Sequence, residues 1–257
     1  IKSIIGIDLN NIHSKLLDIF IDSQLAPNDN CIDLKEYKAI PDAISMYGLE
    51  KSLLDRNHSD ALEHVFYLSR VSDGIQILEF LLEFSLQHCF RSYSYIWHIM
   101  RMQKFLNGKF MLESLNKSID LILEEDFINP IKPSNKPILW SDYLSLNFNK
   151  ENNILLYYTI YKTTLIRGDA IRRLIDERLF LLLDKADPAL GNNINLDEEQ
   201  FDLGRRWILD YIMGIDNSKL DFETIVFFDS IRSCLMLSTS KIEKEYIWSY
   251  LNNRICN

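Results

Sequence analysis

The chain has 257 residues, of which 47% are hydrophobic, 25% charged and 12% aromatic, values that exclude disordered, collagen-like and low-complexity classes. It contains only 8 glycines and 6 prolines, and this scarcity of turn residues disfavours all-β sandwiches and barrels. The formal net charge is −9. A chain this acidic is poorly suited to holding a phosphate backbone, so we do not expect a nucleic acid partner.

The four cysteines, at positions 31, 89, 234 and 256, lack the short spacings of zinc sites and redox motifs. Such cysteine usage is typical of a reducing compartment. The sequence shows no basic segment followed by an apolar run, and no apolar run approaches the ~20 residues of a membrane span. We therefore expect a cytoplasmic protein without a membrane span.

Apolar residues recur at intervals of three and four along most of the chain, which predicts an all-α fold. Up to residue 128, helices are predicted after Asp8, at 41–56, at a position capped by Ser59, at 73–106 and at 110–124. A loop is predicted at 27–40, between the first two helices. Asp73 is the predicted N-cap of the fourth, with Gln76 as its capping-box partner. As one helix, 73–106 would span about 50 Å, so we expect either a kink or a helix that crosses the whole domain.

Half of the prolines lie between residues 126 and 140, a spacing that no helix tolerates. This loop is the candidate boundary between an N-terminal half, 1–128, and a C-terminal half, 129–257, unless both form one continuous domain. The first half carries 12 basic and 19 acidic residues, and the second carries 16 and 18. The acidity is therefore concentrated in the N-terminal half.

The helical pattern continues after the prolines. The predicted helices there are 141–147, 150–166, 169–185, 196–213, 221–237 and a last one that begins with a capping box of Ser240 and Glu243. Within 169–185, three i,i+4 ion pairs are expected: Asp169–Arg173, Arg172–Asp176 and Arg173–Glu177. The whole chain is thus predicted to be an irregular multi-helix bundle of about nine to eleven helices, either as one domain or as two helical subdomains.

Familiar catalytic signatures are absent from the sequence. It contains no G-x-S-x-G, no Walker A loop, no G-x-G-x-x-G and no H-E-x-x-H. His88 and His98 are ten residues apart on a predicted helix, about 80° out of alignment, which is poor geometry for a metal site. We therefore expect neither a metal ion nor a cofactor.

Charge and composition favour a non-enzymatic binding protein. An acidic surface steers a basic protein partner, and the surplus of Tyr and Trp is typical of interfaces. One concrete version is an immunity or inhibitor protein that neutralises a bacterial toxin. The candidate partner-binding residues are Glu50, Asp55, Asp60, Glu63, Asp73, Glu79, Glu83, Glu124, Glu125 and Asp126. The last three end a predicted helix, where the macrodipole disfavours negative charge.

An alternative function rests on Arg91 and His98, which form an R-x6-H spacing within the long predicted helix. This spacing resembles the R-x4-6-H element of the HEPN superfamily, helical bundles that include metal-independent ribonucleases. The resemblance implies that His98 acts as general acid or base while Arg91 steadies the phosphate. A third alternative is a helical pocket for an apolar ligand, suggested by the richness in Leu, Ile and Phe. The partner's identity and the oligomeric state stay open.

Overall fold

The computed structural model describes residues 45–106, 108, 110–132, 139–145, 153–183, 204–214 and 222–256. Over these ranges the chain forms eleven α-helices and no strand, which confirms the predicted all-α multi-helix fold. Among the helices of this part of the chain, none is both long enough and apolar enough to cross a bilayer. The helix predicted after Asp8 and the loop at 27–40 lie outside the described residues.

The helices are numbered here in chain order. They are α1 (Met46–Leu54), α2 (His58–Val71), α3 (Gly74–His88), α4 (Ser92–Leu106), α5 (Met111–Glu124), α6 (Trp140–Leu144), α7 (Asn153–Lys162), α8 (Asp169–Leu183), α9 (Arg205–Gly214), α10 (Phe222–Leu237) and α11 (Lys241–Cys256). The segment predicted as 150–166 is therefore helical over its central part. The segment predicted as 196–213 is described only from residue 204 onward, where it is helical from Arg205.

The chain divides into two compact units. The first contains α1 to α5 together with Leu165–Arg178, which covers the first ten residues of α8. The second contains α6, α7, the last residues of α8, and α9 to α11. Because Leu165–Arg178 groups with the N-terminal helices, the units are not two consecutive stretches of sequence.

In the first unit, α2 to α5 run alternately up and down. At one end, the first residue of α3, Gly74, lies directly against Met111, the first residue of α5. At the other end, the Arg56 side chain in the α1–α2 turn donates to the Leu123 carbonyl near the end of α5, at 2.6 Å. The two ends of the unit are thus fixed by contacts between turns far apart in sequence.

The apolar stripes of these helices form the core of the first unit. Buried members include Leu49, Leu62, Val65, Ile77, Leu78, Leu81, Leu82, Ile96, Trp97, Leu115, Ile119 and Ile122. They recur at the three- and four-residue spacing that the sequence shows, so each helix turns one continuous stripe inward. Burying a side chain of this size contributes about 1.5–3 kcal/mol, which makes the stripes the main source of stability.

Local capping explains where several helices begin. The Ser45 side chain accepts from the Gly48 N–H at 3.1 Å, and Asp73 accepts from the Ile75 N–H at 3.0 Å, as predicted for Asp73. The prediction of Ser59 as an N-cap was wrong: α2 begins at His58, and the Asn57 side chain accepts from the Asp60 N–H. Asn57 is an equally good capping residue two positions earlier, so the helix includes Ser59.

The second unit is organised around Tyr158 on α7. Its ring meets that of Trp140 edge to face at 4.9 Å, and its hydroxyl donates to Glu243 Oε2 on α11 at 2.9 Å. Ser238 Oγ donates to the same oxygen at 3.0 Å. The Glu243 carboxylate, predicted to close a capping box with Ser240, thus accepts from a buried phenol and from Ser238. Burial and this carboxylate raise the pKa of Tyr158 well above its usual range.

A glycine permits the close packing of α1 on α2. A Cβ added at Gly48 would stand 2.5 Å from His64 Cε1, so the ring would have to move. We expect Gly48→Ala to lower the free energy of unfolding by about 1–2 kcal/mol in urea titrations. A matched control is Gly214→Ala, because nothing lies within 4 Å of a Cβ at that position. The control is expected to be neutral or slightly stabilising, and equal losses in both variants would contradict this packing account.

Candidate partner-binding surface

The long helix predicted at 73–106 is divided in two. Helix α3 ends at His88 and α4 begins at Ser92, with Cys89 in an extended conformation between them (φ −120°, ψ 158°). The expectation of a single helix, straight or kinked, was therefore wrong, because the chain turns back on itself between α3 and α4. Helices α3 and α4 pack against each other, and Ser85 Oγ lies 2.8 Å from Ser92 Oγ.

Glu125, one of the predicted partner-binding residues, stabilises the start of α4. Its Oε2 accepts from the backbone N–H groups of Phe90 and Arg91 at 3.0 and 2.9 Å, and its Oε1 accepts from that of Ser92. The N–H groups of Arg91 and Ser92 lie at the start of α4, where a helix leaves such groups without an internal partner, and an anion is favoured there. Glu125 is therefore occupied within the fold.

Arg178 on α8 stabilises the other side of the same turn. It is only 7% exposed. Its Nε and Nη2 donate to the carbonyls of Leu86 and Cys89, both at 2.6 Å, and its guanidinium lies 5.0 Å from the Tyr93 ring centroid. The last carbonyls of α3 thus receive a buried cation, which the helix dipole favours. The role of Arg178 was not predicted, because α8 also carries Arg172 and Arg173, and nothing in the local sequence marks which arginine is buried.

The segment that follows α5 adds two backbone hydrogen bonds to the end of α3. The Ile128 N–H donates to the His88 carbonyl at 2.8 Å, and the Ile131 N–H donates to the Gln87 carbonyl at 3.1 Å. Together with Arg178, these contacts pair four carbonyls at the end of α3. The turn at 89–91 is therefore held by side chains and backbone from distant parts of the sequence.

Glu79, a second predicted binding residue, is also used internally. Its Oε1 accepts from the N–H groups of Arg167 and Gly168 at 2.9 and 2.7 Å, just before α8 begins. Burial, followed by the charges of Glu79 and Glu50, raises the pKa of Glu83, and Arg173 opposes this effect. Glu79 thus binds the segment before α8, Glu83 lies near Arg173 on α8, and none of the three carboxylates is fully exposed.

Four other predicted carboxylates lie at one end of the first unit. Arg56, which donates to the Leu123 carbonyl, also places its guanidinium 4.7 Å from the Phe127 ring centroid. Next to it, His58 Nε2 lies 2.8 Å from Asp120 Oδ1. These contacts bring the α1–α2 turn to the end of α5. The exposed carboxylates there are Asp55, Asp60, Glu124 and Asp126, a group we call the acidic end.

The remaining two predicted carboxylates lie away from the acidic end. Asp73 caps α3 at the opposite end of the unit, near the contact between Gly74 and Met111. Glu63 lies in the middle of α2 and is partly buried. The ten candidate carboxylates therefore do not form one surface. Only the four residues of the acidic end share an exposed surface, and the other six lie within the fold or away from that end.

The two residues of the ribonuclease alternative are not arranged as predicted. Arg91 precedes the first residue of α4 and has an exposed side chain, whereas His98 lies within α4. The premise that both belong to one continuous helix was therefore wrong. Arg91 belongs to the turn at 89–91, whose N–H groups are bound to Glu125, and it directly precedes the regular helix that contains His98.

The ion pairs predicted in α8 are also rearranged. Arg172 Nη1 lies 3.1 Å from Asp169 Oδ1, an i,i+3 pair, and Arg172 also donates to the Gly168 and Ile166 carbonyls. The predicted pairing of Arg172 with Asp176 was wrong, because Arg172 is directed toward the start of the helix. Asp176 is 8% exposed, and its Oδ1 has no hydrogen-bond partner.

Within the ranges that the structure describes, no group of three or more His, Cys, Asp or Glu side chains could hold a metal ion. Comparison with protein-family models, curated proteins and solved structures found no match for the chain.

Asp176 makes stability depend on pH in a specific direction. Burial raises its pKa from 3.8 to about 6. The folded protein therefore binds more protons than the unfolded chain between roughly pH 4 and 6, so this residue's contribution to stability falls as the pH rises through that window. We expect Asp176→Asn to raise the free energy of unfolding at pH 7 by about 1–2 kcal/mol, and by nothing below pH 4.

Chemical denaturation at pH 4 and pH 7 measures this difference. The exposed residue Asp142 supplies the control, since Asp142→Asn is expected to change stability by less than about 0.5 kcal/mol at either pH. If Asp176→Asn raises the free energy of unfolding equally at both pH values, or lowers it at pH 7, the charged Asp176 carboxylate does not destabilise the folded protein.

Proposed function

We propose that this chain is a non-enzymatic, cytoplasmic binding protein that docks a basic protein partner through its acidic end. The observation that supports the proposal is the convergence of two sequence segments, 55–60 and 124–126, on one exposed surface. In the part of the chain that the structure describes, the carboxylates of Asp55, Glu124 and Asp126 make no hydrogen bond or ion pair. They are thus available to lysine and arginine side chains of a partner.

Apolar side chains accompany these charges. Phe90, whose N–H is bound to Glu125, is 62% exposed, and Leu54, next to Asp55, is 46% exposed. Interfaces combine apolar or aromatic anchors with a polar rim, and complementary charge raises the rate of encounter. The acidic end therefore suits a partner whose surface presents lysine or arginine around an apolar contact.

The concrete form that we propose is an inhibitor or immunity-type protein that neutralises a basic toxin. It is supported by the acidic composition and by the lack of catalytic motifs in the sequence. The ribonuclease alternative gains no support from the structure, because Arg91 lies outside the helix of His98. No observation favours the apolar-ligand alternative either.

Zero-length carbodiimide cross-linking tests this proposal, because it joins a carboxylate directly to a lysine amine. In cells that naturally make the protein, we expect Asp55, Glu124 or Asp126 to be joined to lysines of one basic protein. Reversing these three charges together, as Asp55→Lys, Glu124→Lys and Asp126→Lys, should reduce the cross-linked product at least tenfold. With the purified partner, association should slow as salt is added.

The control reverses three exposed carboxylates elsewhere, as Glu113→Lys, Asp142→Lys and Asp210→Lys, so that the net charge changes equally. Glu113 lies about 16 Å along α5 from Glu124. We expect the control to keep most of the cross-linked product. If both triple variants lose it equally, or if the wild-type protein is joined to no basic protein, the acidic end is not the docking surface.

A further inference from the structure

The turn between α3 and α4 is not encoded by the residues that form it. Residues 75–106 contain neither glycine nor proline, and their apolar pattern is that of one continuous helix. The local sequence thus supports a fused helix of 33 residues, Gly74–Leu106, about 50 Å long. In the structure the chain adopts a different conformation over only three of these residues, Cys89–Arg91.

Side chains from outside this segment supply the hydrogen bonds that the turn itself lacks. Glu125 accepts from the three N–H groups at 90–92, and Arg178 donates to the Leu86 and Cys89 carbonyls. In a continuous helix the N–H groups of residues 90–92 would donate to the carbonyls of residues 86–88 as i→i−4 bonds, and the Cys89 carbonyl would accept from the Tyr93 N–H, without Glu125 or Arg178. In both conformations these backbone groups are hydrogen-bonded, but to different partners.

We propose that the turn at Cys89–Arg91 is a conformational switch, which opens into a continuous α3–α4 helix when Glu125 and Arg178 disengage and then exchanges helices with a second copy of this chain. Opening separates α1–α3 from α4–α5, whose stripes share one core. Buried side chains on the two sides include Leu62, Val65, Leu81, Ile96, Leu115 and Ile119. A second copy offers the identical complementary stripes, so the exchange restores the core without new contacts.

The test removes both stabilising side chains, as Glu125→Ala with Arg178→Met. Spin labels carried by non-canonical residues at positions 76 and 102 report the state of the turn. In the closed form, packed helices lie about 8–10 Å apart, which keeps the labels within about 25 Å of each other. In the fused helix the labels stand about 39 Å apart. The labelled chain is diluted in an excess of unlabelled chain, so that only distances within one chain are measured. We expect the double variant then to show the longer distance and to have the mass of a dimer in light scattering.

Two controls distinguish opening of the turn from general destabilisation of the fold. Glu124→Ala removes the neighbouring carboxylate, which takes no part in the turn, and should leave a monomer with the short distance. Phe90→Pro blocks the fused helix, while the extended backbone of Cys89 is already the conformation that precedes proline. Added to the double variant, Phe90→Pro should lower the dimer fraction at least fivefold.

A double variant that stays monomeric with the short distance overturns the proposal, as does a dimer that survives Phe90→Pro. If the double variant does not fold, wild-type protein refolded at high concentration decides the question. We then expect a dimer with the longer distance, reduced at least fivefold by Phe90→Pro alone. Refolding that gives only monomer, or dimers with the short distance, rejects the exchange.

Discussion

Pairing of the backbone groups at helix ends is the constraint on which the first unit depends. A helix leaves four N–H groups and four carbonyls without internal partners, and burying them unpaired is costly. Here, charged side chains from distant positions supply several of the partners: Arg56 for α5, Glu79 for the start of α8, Glu125 for α4 and Arg178 for α3. The same contacts fix where the chain turns.

These contacts also explain which parts of the fold were predictable from sequence. The helices themselves follow from apolar spacing and local caps such as Asp73, because residues three and four apart meet on one face. The break at 89–91 was not predictable, because its partners lie 33 to 92 residues away: Ser92 to Glu125, and Leu86 to Arg178. No signal inside 73–106 reports contacts at that distance.

The candidate surface was predictable only in part, for the same reason. Charge counting identified the acidic stretches, but it could not distinguish a carboxylate bound to backbone N–H groups from one that faces solvent. Glu79 and Glu125 belong to the first kind, whereas Asp55 and Glu124 belong to the second. Adjacent residues such as Glu124 and Glu125 can therefore have opposite roles, one in recognition as proposed and one in holding the fold.

Hydrogen exchange at the turn tests most directly whether Glu125 holds it. N–H groups in a turn or at the start of a helix have no internal partner and are normally unprotected, so the protection of Phe90, Arg91 and Ser92 reports their hydrogen bonds to Glu125. If Glu125 holds the turn, Glu125→Ala speeds amide exchange at these three residues at least tenfold, whereas Glu124→Ala leaves it unchanged. Exchange that is equally slow in all three proteins, or equally fast, would contradict the account.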